Sequence, residues 1–148
     1  MQSMKLMLAL AALLSVTVLL TWAAGSPAVT YVSHDKVTAA LAKGGSLVTA
    51  SDLLVSGSHR DKAGTVEVHD KETDILHVIE GEATFVTGGT VVGDKITKPG
   101  QHSGTDIQGG ETHHLTKGDV IVIPAGTPHW FKQVPTSISY FVVKVLKP

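Results

Sequence analysis

The 148-residue chain has no cysteine. That excludes disulfides, a thiolate metal site and a cysteine nucleophile, and it leaves any stabilisation to the core. The chain also lacks an excess of charge of either sign, with a formal net charge of −1 and no basic stripe. Nucleic acid is therefore not an expected partner. There is no internal repeat and no sign of a second domain. Outside the first two dozen residues no apolar run is long enough to suggest a membrane span.

The one long apolar run has the layout of an export signal. Lys5 gives a short positive start, Leu6–Leu20 is almost wholly apolar, and small residues follow at Ala23, Ala24, Gly25 and Ala28. A signal peptide over residues 1–25 is expected, with cleavage as late as residue 28, which makes the mature chain periplasmic or secreted. The alternative is an uncleaved N-terminal membrane anchor. A lipid-modified N-terminus is excluded because no cysteine stands near the cleavage site.

Residues 29–148 suit one domain with one core. Ser33 is placed to cap a short helix over His34–Lys43, which Gly44 or Gly45 ends. The signals are β from there on: Leu47–Ala50, Leu53–Ser58, Thr65–His69, Asp74–Glu80, Ala83–Thr87, Thr90–Val92, Glu111–Leu115, Val120–Ile123, His129–Gln133 and Ser137–Leu146. Many short strands between turn residues predict a sandwich or a closed barrel. Residues 93–110, rich in glycine, are expected to form a surface loop. The last strand is apolar on both faces and needs cover on both, from the N-terminal segment or from a second copy in a homodimer.

Eight histidines carry the chemistry. Residues two apart on a strand share a face, so Glu67 and His69 lie together, and Asp74 can join them from the following strand. A carboxylate and an imidazole buried together are costly unless they are paired or bound to a metal. His77 falls on the face opposite Asp74. His113 and His114 lie on one strand, so at most one turns inward. Arg60 is a candidate contact for an anionic substrate, and Trp130 gives bulk beside His129.

Two blocks, Gly64-Thr-Val-Glu67-Val-His69 through Asp74 to Gly81 and Gly118-Asp-Val-Ile-Val-Ile-Pro124-Ala-Gly126-Thr-Pro-His129, resemble the two motifs of the cupin superfamily. In that family a His-x-His pair, an acidic residue and a later histidine hold one metal ion in a small barrel. Here Glu67 stands at the first position of the pair, and Asp74 replaces the usual glutamate. The resemblance implies an all-β fold, a cupin-type double-stranded β-helix (jelly-roll) barrel with a short N-terminal helix. It implies a metal site of Glu67, His69, Asp74 and His129. His69, Asp74 and His129 alone would form the two-histidine, one-carboxylate set favoured by non-haem iron. Glu67 is then a fourth ligand, a catalytic general base or a hydrogen-bonding neighbour. Oxygen-rich ligation favours Mn or Fe, with Zn or Ni admitted.

Two functions follow. One is an exported, metal-dependent oxidoreductase, dioxygenase-like, acting on a small oxygenated molecule with Arg60, His113, His114 and Trp130 as substrate contacts. The other is a non-catalytic cupin that binds a metal or a small ligand.

Overall fold

The computed structural model describes residues 28–147, so the expected signal peptide lies outside the described residues. Those residues form one helix and twelve strands. They are α1 (His34–Lys43), β1 (Gly45–Thr49), β2 (Leu53–Arg60), β3 (Val66–His69), β4 (Glu72–Thr87), β5 (Thr90–Val92), β6 (Lys95–Lys98), β7 (Gln101–Gly104), β8 (Asp106–Gln108), β9 (Glu111–Thr116), β10 (Val120–Ile123), β11 (His129–Gln133) and β12 (Ile138–Leu146).

The helix starts and stops where the sequence predicts, although Ser33 contributes its backbone and not its hydroxyl. Its carbonyl accepts the Val37 N–H at 3.1 Å, and no side-chain cap bond forms. Asp35 in the first turn and Lys43 in the last complement the helix dipole. The helix lies on β2 at Gly57, where any side chain would run into the backbone of Ala40. Ala40 is buried there, and the Ser139 hydroxyl of β12 donates to Leu41 O. The N-terminal helix thus covers part of the outer face formed by β2 and β12.

One strand ties the two walls of the barrel together. The first half of β4 pairs with β12 and β10, and its second half pairs with β11 and β9. Two separate strands were expected here, split at the turn glycine Gly81. Instead the strand continues through Gly81, which adopts φ 81. A side chain at that position would collide with Ser137 O, so only glycine lets β4 bend from one sheet into the other. The sheets enclose Leu76, Val78, Ala83, Phe85, Leu115, Ile123, Phe131, Ile138 and Tyr140. Phe131 meets Phe85 edge-on at 4.6 Å between ring centroids, an arrangement that aromatic quadrupoles favour.

Residues 93–110 are not the open loop that was expected. They fold into β6, β7 and part of the β5–β8 hairpin. Strand β7 adds to β3 in register, with His69 opposite Gln101 and Val66 opposite Gly104. The hairpin packs on the outside of the barrel over a second small cluster of Val66, Val86 and Ile107, flanked by Val91 and Trp130. This insertion brings a polar side chain to the site described next.

Candidate metal centre

Alternation along β3 puts Val66 and Val68 on the covered outer face and turns Glu67 and His69 into the barrel. Strand β11 lies beside β3 with His129 directly opposite Glu67. Asp74 enters from β4, where Leu76 and Val78 share its inward face while His77 is exposed. All four expected ligands line one cavity of roughly 200 Å³, together with Arg60, Phe131, Tyr140 and Lys144 among others.

The two imidazoles are held in defined orientations. His129 Nδ1 lies 3.0 Å from the Thr127 carbonyl. A carbonyl only accepts, so Nδ1 carries the proton and Nε2 presents its lone pair to the cavity. For His69 the argument runs through Gln101. The Gln101 amide nitrogen donates to Glu72 Oε1 at 2.8 Å, which turns its Oε1 toward His69 Nδ1. That nitrogen must therefore donate, leaving Nε2 as the open lone pair. His69 Nε2 is buried and has no hydrogen-bond partner. Such an orphaned acceptor aimed into a polar cavity is costly without a ligand.

Two carboxylate oxygens face these nitrogens. Glu67 Oε2 lies 3.7 Å from His69 Nε2 and 3.8 Å from His129 Nε2. Asp74 Oδ2 lies 3.6 and 3.8 Å from the same atoms. Metal–ligand bonds of about 2.1 Å at tetrahedral angles separate donors by about 3.4 Å. The nitrogen–oxygen separations exceed this by a few tenths of an ångström, and Glu67, His69 and His129 offer ligating atoms within 4.8 Å of one another, so these three residues fit a divalent metal.

Lys144 engages one of the four expected ligands. Its Nζ donates to both Asp74 oxygens at 2.9 Å and lies 2.8 Å from Glu72 Oε2. Asp74 is thus paired with an ammonium, and the donors free of any cation in their own hydrogen-bonding range are Glu67, His69 and His129. Their ligating atoms lie within 4.8 Å of one another. A second cluster of His69, Glu72 and Asp74 has similar spacing, but Lys144 already places a cation between its two carboxylates.

The titration behaviour follows from these contacts. Pairing with His69 holds the Glu67 carboxyl below its ordinary range, against the opposing effect of burial, and His129 and Arg60 add to the depression. Burial alone would lower the His69 value. Its pairing with Glu67 and the Asp74 charge outweigh both that and the Lys144 ammonium, so the net shift is upward. Burial dominates at His129 and pushes its value down. Burial would raise Glu72, but Lys144 brings it below the usual carboxylate range.

The other expected contacts lie elsewhere. Trp130 follows an inward residue on a strand and so points outward, where its Nε1 donates to Gly64 O at 2.8 Å in the cluster under the hairpin. His113 is bonded to Thr87 Oγ1 at 2.8 Å, and His114 is exposed beside Glu82. None of the three lines the cavity, so they do not stand where substrate contacts were expected. Arg60 does line it. Sequence reasoning missed Glu72, Gln101, Tyr140 and Lys144. Parity alone could have found Tyr140 and Lys144, since both alternate inward with Ile138 and Val142 on β12.

A family model described as Cupin matches residues 61–147, more than half of the chain. The chain is a cupin. Among solved structures, a Bacillus halodurans protein is 17% identical with a TM-score of 0.51, over 70% of this cupin and 69% of that chain. A Schizosaccharomyces pombe cupin domain is 10% identical with a TM-score of 0.51, over 70% and 59%. At these identities the likeness establishes the fold alone. Comparison with curated proteins finds no match.

Proposed function

We propose that this cupin holds one divalent metal ion, Mn or Fe, through Glu67, His69 and His129 and acts as a dioxygenase-like oxidoreductase on a small oxygenated molecule. The observation that carries the reading is the convergence of two Nε2 lone pairs, each fixed by a bond at the opposite ring nitrogen, with the buried His69 atom unpartnered. Second-side bonds of this kind fix the tautomer that ligates metals. Two histidines and one carboxylate favour iron, and a carboxylate donor suits manganese.

A redox-active ion bound there supplies Lewis acidity and one-electron chemistry to a substrate oxygen. The chain's own residues do the rest. Gln101 and the Thr127 carbonyl keep the imidazoles aimed, and Glu67 contributes negative charge at the third position. Lys144 holds Asp74 in place beside them. Phe131, Leu76 and Val142 limit water on the apolar side. Export to the periplasm or beyond is part of the proposal and rests on the leader pattern of residues 1–25.

One observation favours a binding protein without turnover. If Glu67 is a ligand, Asp74 is tied to Lys144 and no other carboxylate lining the cavity stands free to move a proton. Glu67→Gln discriminates the readings when metal content and dioxygen consumption are measured together. Loss of metal marks Glu67 as a ligand. Retained metal with turnover lowered by about 100-fold marks it as a proton-transfer group. A parent chain that holds metal but consumes no dioxygen with any small oxygenated substrate supports the binding protein and overturns the oxidoreductase.

A further inference from the structure

Arg60 is fixed in place more firmly than its contacts with the metal ligands require. Its Nε donates to Tyr140 Oη at 3.0 Å, and its guanidinium lies 4.8 Å from the centroid of the Phe131 ring. Both partners are buried, at 5% and 6% exposure. Ordering so long a side chain costs rotamer freedom, which the stacking and the hydrogen bond offset. The outer fork of the guanidinium is left over. Nη2 lies 3.7 Å from Glu67 Oε1, an electrostatic contact beyond hydrogen-bonding range. A rigid fork of donors on the wall of a cavity, with its inner nitrogen anchored, is the geometry that takes up a planar oxyanion.

The charges at the site point the same way. Lys144 is already engaged by Asp74 and Glu72, so it offers no free positive charge. Arg60 and Lys144 face three carboxylates, those of Glu67, Glu72 and Asp74. With both imidazoles neutral the metal-free site therefore carries one net negative charge, and a divalent ion turns it into one net positive charge. A loaded site in a partly desolvated cavity then favours one anionic group. The wall on the other side is apolar, formed by Leu76, Phe131 and Val142, and the cavity is roughly 200 Å³. At about 30 Å³ per water that is space for about seven water-sized groups.

We propose that the substrate class is a small monocarboxylate with a short apolar body, held by Arg60 through its carboxylate next to the Glu67–His69–His129 centre. The charge balance rests on the metal reading above, while the anchor rests on the geometry of Arg60. Tyr140 is a positioning residue, since it aims the guanidinium without facing the anion itself.

The test is calorimetric titration of the manganese-loaded chain with acetate, lactate and pyruvate, with lactamide as the neutral counterpart of lactate and with inorganic phosphate. At least one carboxylate is expected to bind, with lactate at least tenfold tighter than lactamide. Arg60→Gln should lower that affinity at least tenfold with metal content unchanged, and Arg60→Lys should restore part of it. Tyr140→Phe, which keeps the charge and the packing, should weaken binding several-fold, so the inference stays testable if Arg60→Gln does not fold. Equal binding of lactate and lactamide, a full-affinity Arg60→Gln protein, phosphate binding tighter than every carboxylate, or no carboxylate binding at all would each overturn it. Failure of the metal reading is distinguishable, because it appears as absent manganese. Carboxylate binding to that metal-free chain that still depends on Arg60 would keep the anchor and remove only the metal.

Discussion

Replacing Lys144 with methionine tests how the site holds its negative charge. Asp74 is buried, at 4% exposure, and both of its oxygens are bonded to Lys144 Nζ, which also reaches Glu72. Methionine keeps much of the volume and removes the ammonium. Breaking a buried ion pair by removing one partner costs about 3–5 kcal/mol, because a charge is left without compensation. Glu72 and Lys144 retain about a fifth of their side-chain exposure, so water recovers part of the loss and about 3 kcal/mol is the reasonable figure. For a domain of this size that corresponds to a fall of about 10 °C in Tm.

The same substitution frees Asp74 to face the two Nε2 atoms, so the variant should depend on metal more strongly than the parent. Metal at about 100 times its Kd adds about 2.7 kcal/mol to any protein that binds it only when folded. Freed Asp74 strengthens that binding, so the metal-induced rise in Tm should be larger for Lys144→Met. Thermal melts of both chains, with chelator and with saturating Mn, give the four numbers needed. A variant that melts with the parent in chelator would refute the compensating role of Lys144. An identical metal-induced rise in the two would refute the idea that Lys144 holds Asp74 away from the ion.

Gln101→Leu removes the acceptor that fixes the His69 tautomer, so metal affinity should fall about 10–100-fold while the fold survives, as competition against a chelator would measure. Metal binding should release a proton from His69 at low pH. His69 titrates above its ordinary value near 6.5 and Glu67 is already ionised there, so affinity falls as pH drops through the raised His69 value. Calorimetry in buffers of different ionisation enthalpy should find proton release that grows as pH falls through the raised His69 value and fades as pH rises above it. On the export proposal, the mature protein should begin at Ser26 or Val29 and lack Trp22, as N-terminal sequencing would determine; a product that starts at Met1 on membranes would establish the anchor.

The fold was legible because alternation and turn residues are local signals. The helix over His34–Lys43 and the strands Thr90–Val92, Val120–Ile123 and His129–Gln133 have the bounds that the sequence implies. Parity also put Glu67, His69 and Asp74 on inward faces and His77 outside. The segment 93–110 was misread because β6, β7 and β8 are three or four residues long and mostly polar, which leaves no alternation to detect. Gly81 was read as a turn because its positive φ is shared by turns and by a strand that bends between sheets. The Lys144–Asp74 pair was out of reach for a different reason. Its members are seventy residues apart in sequence, and only the register of β12 on β4 brings them together. Trp130 packs outside the cavity, as strand alternation requires once its neighbour His129 points inward.

The central claim is that Glu67, His69 and His129 enclose one metal ion. Crystals grown with Mn and measured for anomalous scattering test it directly. The account predicts a single peak about 2.1–2.2 Å from His69 Nε2, His129 Nε2 and a Glu67 carboxylate oxygen, lost in His129→Ala. No peak in the barrel, a peak between Glu72 and Asp74 where Lys144 now sits, or an undiminished peak in His129→Ala would contradict it.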